Sequence, residues 1–165
     1  MKLFLTAISL ALVATPALAQ SRPFRLMLGG AKTPASDTVL LGLSVDAKRL
    51  PKNRMLSFYA DSGFTTGFGC GTSIALNPQL AREYAGFESV GVSVRQPWKS
   101  GWLGLGVGSY STHFDGCNTI AHRVGGLGGK AFLGWGGGLY FTEAALTLPS
   151  VTKYLQASIS VGFRL

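Results

Sequence analysis

The sequence predicts an eight-stranded antiparallel up-and-down transmembrane β-barrel. Three observations carry that expectation. Apolar and polar residues alternate with period two in eight successive segments, the pattern of strands with one apolar and one polar face. The connections between them run alternately short and long, as in barrels with turns at one end and loops at the other. The polar faces are mostly Gly and Ser rather than the Thr, Lys and Glu that a water-facing strand prefers.

The last segment alternates most cleanly. Leu155, Ala157, Ile159, Val161, Phe163 and Leu165 share one face; Gln156, Ser158, Ser160, Gly162 and Arg164 share the other. Earlier segments repeat the pattern. Phe24, Leu26 and Leu28 oppose Arg25, Met27 and Gly29. Val39, Leu41, Leu43 and Val45 oppose Leu40, Gly42, Ser44 and Asp46. Leu56, Phe58 and Ala60 oppose Met55, Ser57, Tyr59 and Asp61. Val90, Val92 and Val94 oppose Ser89, Gly91, Ser93 and Arg95, and Leu103, Leu105 and Val107 oppose Gly104, Gly106 and Gly108. Residues 126–135 and 138–148 complete the set with weaker alternation.

Short connections fall near Lys48–Asn53, Pro97–Gly101 and Gly136–Gly137. Longer ones fall near Ser62–Tyr84 and Ser111–Val124, with Lys32–Asp37 and Pro149–Tyr154 intermediate. Gly136-Gly137 suits the positive φ angles of a two-residue hairpin turn. That turn sets Trp135 opposite Gly138, Leu133 opposite Tyr140 and Lys130 opposite Glu143.

Alternation alone fits a soluble, lipocalin-like barrel too. The Gly/Ser faces decide for the inside-polar form, because glycine is useful where large neighbours crowd a narrow lumen. Tyr59, Tyr110, Phe132 and Phe141 fall on that face and are expected to fill it. Arg25, Asp46, Arg95, Lys130 and Glu143, with Arg164 at the chain end, become a lumen charge network. Buried charges must be paired or solvated; a selective ion path is the alternative role. Phe24, Trp98, Trp102, Trp135, Tyr140, Tyr154 and Phe163 lie near strand ends, as an interfacial aromatic belt would.

Composition agrees. Charged residues make up 13% of the chain, against about a quarter in soluble domains. Residues 1–19 read as a signal peptide: Lys2, the apolar Leu3–Val13 and the small-x-small Ala17-Leu18-Ala19 before Gln20. The apolar stretch is shorter than the roughly 20 residues a spanning helix needs. Residues 20–165 then form the barrel domain, exported to the outer membrane of a bacterium with two membranes. The net charge of +8 includes the cluster Lys48, Arg49, Lys52 and Arg54. No aromatic-interleaved basic stripe accompanies it, so no nucleic-acid partner is expected. A solvated turn near anionic headgroups explains the cluster.

Cys70 and Cys117 fall in the two long loops at one end, and export favours a disulfide between them. Free thiols, or a metal shared with His113 and His122, are the alternatives. The spacing matches no compact zinc pattern, so no metal is expected. Ser111, His113 and Asp115 have hydrolase residue types but share one predicted loop. Gly125-Gly126-Leu127-Gly128-Gly129-Lys130 is not a phosphate loop: Val124 stands where the first glycine belongs, and Ala131 where Ser or Thr would hold magnesium. No cofactor and no catalytic residue are assigned.

The chain resembles the small outer-membrane β-barrel family of outer-membrane protein A-like transmembrane domains and opacity-type surface proteins. The resemblance rests on Gly101-Trp102-Leu103-Gly104-Leu105-Gly106-Val107-Gly108, Gly128-Gly129-Lys130-Ala131-Phe132-Leu133-Gly134-Trp135, Leu139-Tyr140-Phe141-Thr142-Glu143-Ala144 and Ser160-Val161-Gly162-Phe163-Arg164-Leu165. It implies a structural or surface-interaction role, with loops presented to an unknown surface ligand. It also implies contact with outer-membrane lipids, lipopolysaccharide and the barrel-assembly machinery. Family members usually end in an aromatic residue; this chain ends in Leu165, with Phe163 two positions earlier. No peptidoglycan-binding domain is expected after the last strand. Some eight-stranded barrels instead act as lipid A acyltransferases or deacylases, which makes an outer-leaflet lipid-modifying enzyme the functional alternative. The deacylase order His-x-Ser is reversed here, since Ser111 precedes His113.

Overall fold

The computed structural model describes residues 23–32, 37–65, 83–115, 122–136, 139–150 and 155–165. These form eight strands: β1 (Phe24–Lys32), β2 (Asp37–Leu50), β3 (Arg54–Thr65), β4 (Glu83–Trp98), β5 (Gly101–Asp115), β6 (His122–Trp135), β7 (Tyr140–Pro149) and β8 (Gln156–Arg164). Each pairs antiparallel with its sequence neighbour, and β1 closes on β8 through Arg25↔Arg164 to Lys32↔Ala157. No edge strand is left among them, so every ladder is paired.

One end carries the tight connections. Pro51–Asn53 form a 3-10 turn between β2 and β3. Lys52 and Asn53 there, and Lys99 in the β4–β5 turn, adopt positive φ. The expected basic turn is therefore a tight, exposed one. At the opposite end the strands run on further than alternation predicts. Ser62–Thr65 belong to β3, Ser111–Asp115 to β5, and His122–Val124 to β6. In β5 and β6 the outward side chains there, Ser111, His113 and Arg123, are polar, so the apolar signal vanishes while the ladder continues through Glu88↔Ser111 and His113↔Arg123.

Side chains alternate as the pattern requires. Leu127 is 73% exposed, Leu105 70% and Ile159 66%, all on the outside. Inside, each large ring lies opposite a glycine of a neighbouring strand. The pairs are Tyr59↔Gly91 and Phe87↔Gly63; Trp102↔Gly134, Tyr110↔Gly126 and Phe132↔Gly104; and Phe141↔Gly162. The fit is tight. A Cβ built on Gly104 would come within 2.2 Å of the Phe132 ring, and one on Gly162 within 2.2 Å of Phe141. The expected lumen fillers Tyr59, Tyr110, Phe132 and Phe141 are thus in place. Trp102 departs from its expected place in the aromatic belt: it is buried in the lumen. Leu103 faces out, and the period of two turns its neighbour inward. Trp98, Trp135, Tyr140 and Phe163 do lie exposed at the short-turn end.

The β6–β7 register also departs from the expected two-residue turn. Trp135 pairs with Thr142, Leu133 with Ala144 and Lys130 with Thr147. The shift is even, so every side chain keeps its face. The expected register would have set Phe132 directly opposite Phe141, two rings at one level of a narrow lumen. The observed one sets Ala145 opposite Phe132 and lets Phe141 meet Trp102 edge-on at 5.4 Å between ring centroids.

This fit makes a prediction. Gly134→Ala would place its Cβ 2.1 Å from the Trp102 ring, so it should cost about 1–3 kcal/mol by overpacking. Outward Gly129, whose Cβ would meet only a backbone oxygen at 3.9 Å, should tolerate alanine within about 0.5 kcal/mol. Urea unfolding of the refolded protein, followed by tryptophan fluorescence, separates the two.

Candidate functional site

The charged residues expected in the lumen all point there, and they divide into two clusters. Near the short-turn end Asp46 is shared by two guanidiniums. Arg25 Nη2 donates to Asp46 Oδ1 at 2.8 Å, and Arg95 Nη2 donates to the same oxygen. Hydroxyls complete the shell: Arg25 also donates to Ser44 Oγ at 2.9 Å, and Ser57 Oγ donates to Asp46 at 3.0 Å. Arg164 joins from β8. Its guanidinium carbon lies 5.0 Å from the centre of the Trp102 ring, with those of Arg25 and Arg95 at 5.9 and 5.8 Å.

The second cluster lies at mid-barrel around Lys130. Its ammonium donates to Asp61 Oδ2 at 2.8 Å and lies 3.7 Å from Glu143 Oε1. The Lys130–Glu143 attraction exists, but not as the direct cross-strand pair the sequence suggested. In the register, Lys130 faces Thr147 and Glu143 faces Gly134. The primary partner is Asp61, which the sequence reading left out of the network. The signal was available, since alternation already put Asp61 on the face of Tyr59. Tyr59 and Tyr110 hydroxyls meet at 2.7 Å beside this cluster. Toward the loop end Ala31, Leu40 and Phe87 form a small apolar layer.

No family model matches the chain, and no curated protein matches it. Solved structures do match. The N-terminal β-barrel domain of Pseudomonas aeruginosa OprF is similar at a TM-score of 0.51 and 13% identity, over 87% of this chain and 97% of that one. Neisserial surface protein A, NspA, is similar at a TM-score of 0.55 and 11% identity, over 86% and 93%. The chain has the fold of the small eight-stranded outer-membrane barrels. At these identities the likeness concerns the fold and not the task.

On such a barrel two of the remaining candidate residues fall on the outer wall. Ser111 and His113 belong to β5 rather than to a loop, and face outward at the loop end. Glu88 of β4 lies directly opposite Ser111. Arg123 of β6 donates from Nη2 to Glu88 Oε2 at 2.7 Å and from Nε to Ser111 Oγ. His113 Nε2 lies 3.8 Å from the same Glu88 oxygen. Ser111 thus accepts a hydrogen bond from a guanidinium, whereas a nucleophilic serine donates to its base. Asp115 is the last residue of β5. Cys70 and Cys117, with their expected disulfide, lie outside the described residues. His122 begins β6. Gly125–Lys130 are strand, as expected.

The mid-barrel cluster yields a second prediction. Lys130, Asp61 and Glu143 are each about 6% exposed, so Lys130→Met leaves two buried carboxylates facing each other. It should cost about 3–5 kcal/mol, the range for breaking a buried pair from one side. Adding Asp61→Asn should recover part of that loss, which a double-mutant cycle of urea midpoints would register as coupling.

Proposed function

We propose that this chain is an integral outer-membrane barrel with a structural and surface-presenting role. The observation that carries the reading is its inverted polarity. Leu, Val, Ile and Phe side chains cover the outside while Arg, Lys, Asp and Glu are packed inside. Water would solvate that exterior poorly, whereas the hydrocarbon of a bilayer would not have to. The boundaries of the apolar band support it. Trp98, Trp135, Tyr140 and Phe163 ring the short-turn end, where amphipathic rings favour headgroups. Glu88, Ser111, His113 and Arg123 end the band on the β4–β6 wall at the loop end.

Residues 1–19 then act as a cleaved export signal. The tight turns face the periplasm, and the longer connections face the outside, where lipopolysaccharide and any surface ligand would be met. The filled lumen favours a plugged barrel over an ion path. The bonding of Ser111 favours a structural role over lipid A chemistry. Mass spectrometry of lipid A with and without the protein tests that choice, since changed acyl chains would overturn it.

The membrane assignment is tested by fractionation and gel mobility. The protein should stay with the outer membrane through alkaline extraction and should run faster unheated than boiled. Recovery from the soluble periplasm without detergent would refute the assignment. Leu105→Arg, in the apolar stretch of β5, should cost about 2–4 kcal/mol when folding is measured into bilayers.

A further inference from the structure

The charges outside the lumen are sorted by end. Of the seven acidic residues, Asp46, Asp61 and Glu143 face the lumen. Asp37, Glu83, Glu88 and Asp115 stand on the loop-end parts of β2, β4 and β5. The short-turn end carries exposed Lys48, Arg49, Lys52, Arg54 and Lys99 and, among the described residues, no acidic side chain on its outer surface.

Local structure holds these cations in place. The register of β2 on β3 jumps from Asp46↔Ser57 to Lys48↔Leu56. Strict alternation would send Lys48 inward after Asp46; the bulge at Ala47 turns it onto the outer wall beside Leu56, as bulges re-aim side chains. Gln96 of β4 clamps the turn that follows. Its Oε1 accepts from Arg54 Nε at 3.0 Å, and its Nε2 donates to the Lys52 carbonyl at 3.3 Å. In the neighbouring turn the Lys99 ammonium lies 5.1 Å from the centre of the exposed Trp98 ring.

Two of these lysines sit on unfavourable backbone. Lys52 (φ 58°) and Lys99 (φ 51°) are left-handed, a conformation that disfavours a β-carbon and that glycine takes easily. The chain has 23 glycines and places one, Gly136 (φ 128°), in the third turn of this end. At the other two tips lysine stands where its backbone is a handicap, so what it offers there is its charge.

A dense cationic surface without carboxylates calls for anions, and its position selects which. Lys48 and Arg54 border Leu56, Val94 and Trp98, where the apolar band ends. Lipid headgroups occupy that level of a membrane barrel, and a soluble acidic partner would have to displace them. A zwitterionic headgroup brings a cation of its own, which this surface repels. We propose that the short-turn end is a selective site for anionic glycerophospholipids of the phosphatidylglycerol class, whose phosphate meets Lys48, Lys52, Arg54 and Lys99. The proposal rests on the membrane reading.

The test uses the protein folded into phosphatidylcholine vesicles at low ionic strength. All three tryptophans, Trp98, Trp102 and Trp135, belong to the short-turn end, so quenching by lipids with brominated acyl chains reports which lipid sits there. Brominated phosphatidylglycerol should out-compete brominated phosphatidylcholine roughly fivefold, the worth of one cation at an anionic surface. Lys52→Gly with Lys99→Gly should lose most of that preference, while its urea midpoint in phosphatidylcholine stays level or rises. Lys52→Arg with Lys99→Arg should keep the preference. Equal quenching by the two lipids would overturn the proposal alone and leave the basic end to a soluble acidic partner. So would a preference untouched in the glycine variant. No quenching by either lipid would instead refute the membrane reading, and this proposal with it.

Discussion

An eight-stranded barrel closed by its own ladder encloses a lumen only wide enough for side chains. Everything inside this protein answers to that width. A ring can enter only where the adjoining strand gives up its side chain, and here the adjoining residue is glycine in every one of the six pairs described. Glycine weakens an isolated strand. In this setting its cost is offset by the ring that covers it and shields the bare backbone from water.

The same narrowness governs the charges. Arg25, Arg95 and Lys130 are buried in the lumen, and each is placed beside a carboxylate and near a ring. Buried ion pairs of this kind are weak sources of net stability, because desolvation consumes much of the Coulombic gain. Their stronger effect is on specificity. Slipping one strand by a single residue would turn Arg95 or Lys130 outward and bring a Leu or Val inward.

The strands and their faces were legible because a period of two is written directly in residue order. Arg25, Asp46, Arg95, Lys130 and Glu143 could be placed in the lumen from that period alone. Relations between strands were less legible. The β6–β7 register depends on where Phe132, Phe141 and Trp102 can share space, which is settled by packing across the lumen rather than by the Gly136-Gly137 turn. The loop-end extensions of β5 and β6 were hidden because backbone pairing persists where the outward residues turn polar. Asp61 was visible as a lumen residue, but its partnership with Lys130 joins β3 to β6, and a contact so distant in sequence leaves no local trace.

That distance recurs across the lumen. Arg95–Asp46 joins β4 to β2, the Tyr59–Tyr110 hydroxyl contact joins β3 to β5, and Trp102 against Phe141 joins β5 to β7. Backbone ladders hold the wall as hoops hold a cask; these contacts act as spokes. They join strands two or three apart, whose side chains draw closer as the wall curves, so flattening the wall would strain several at once. Resistance to crushing and to lateral unzipping thus resides in the filling as much as in the wall.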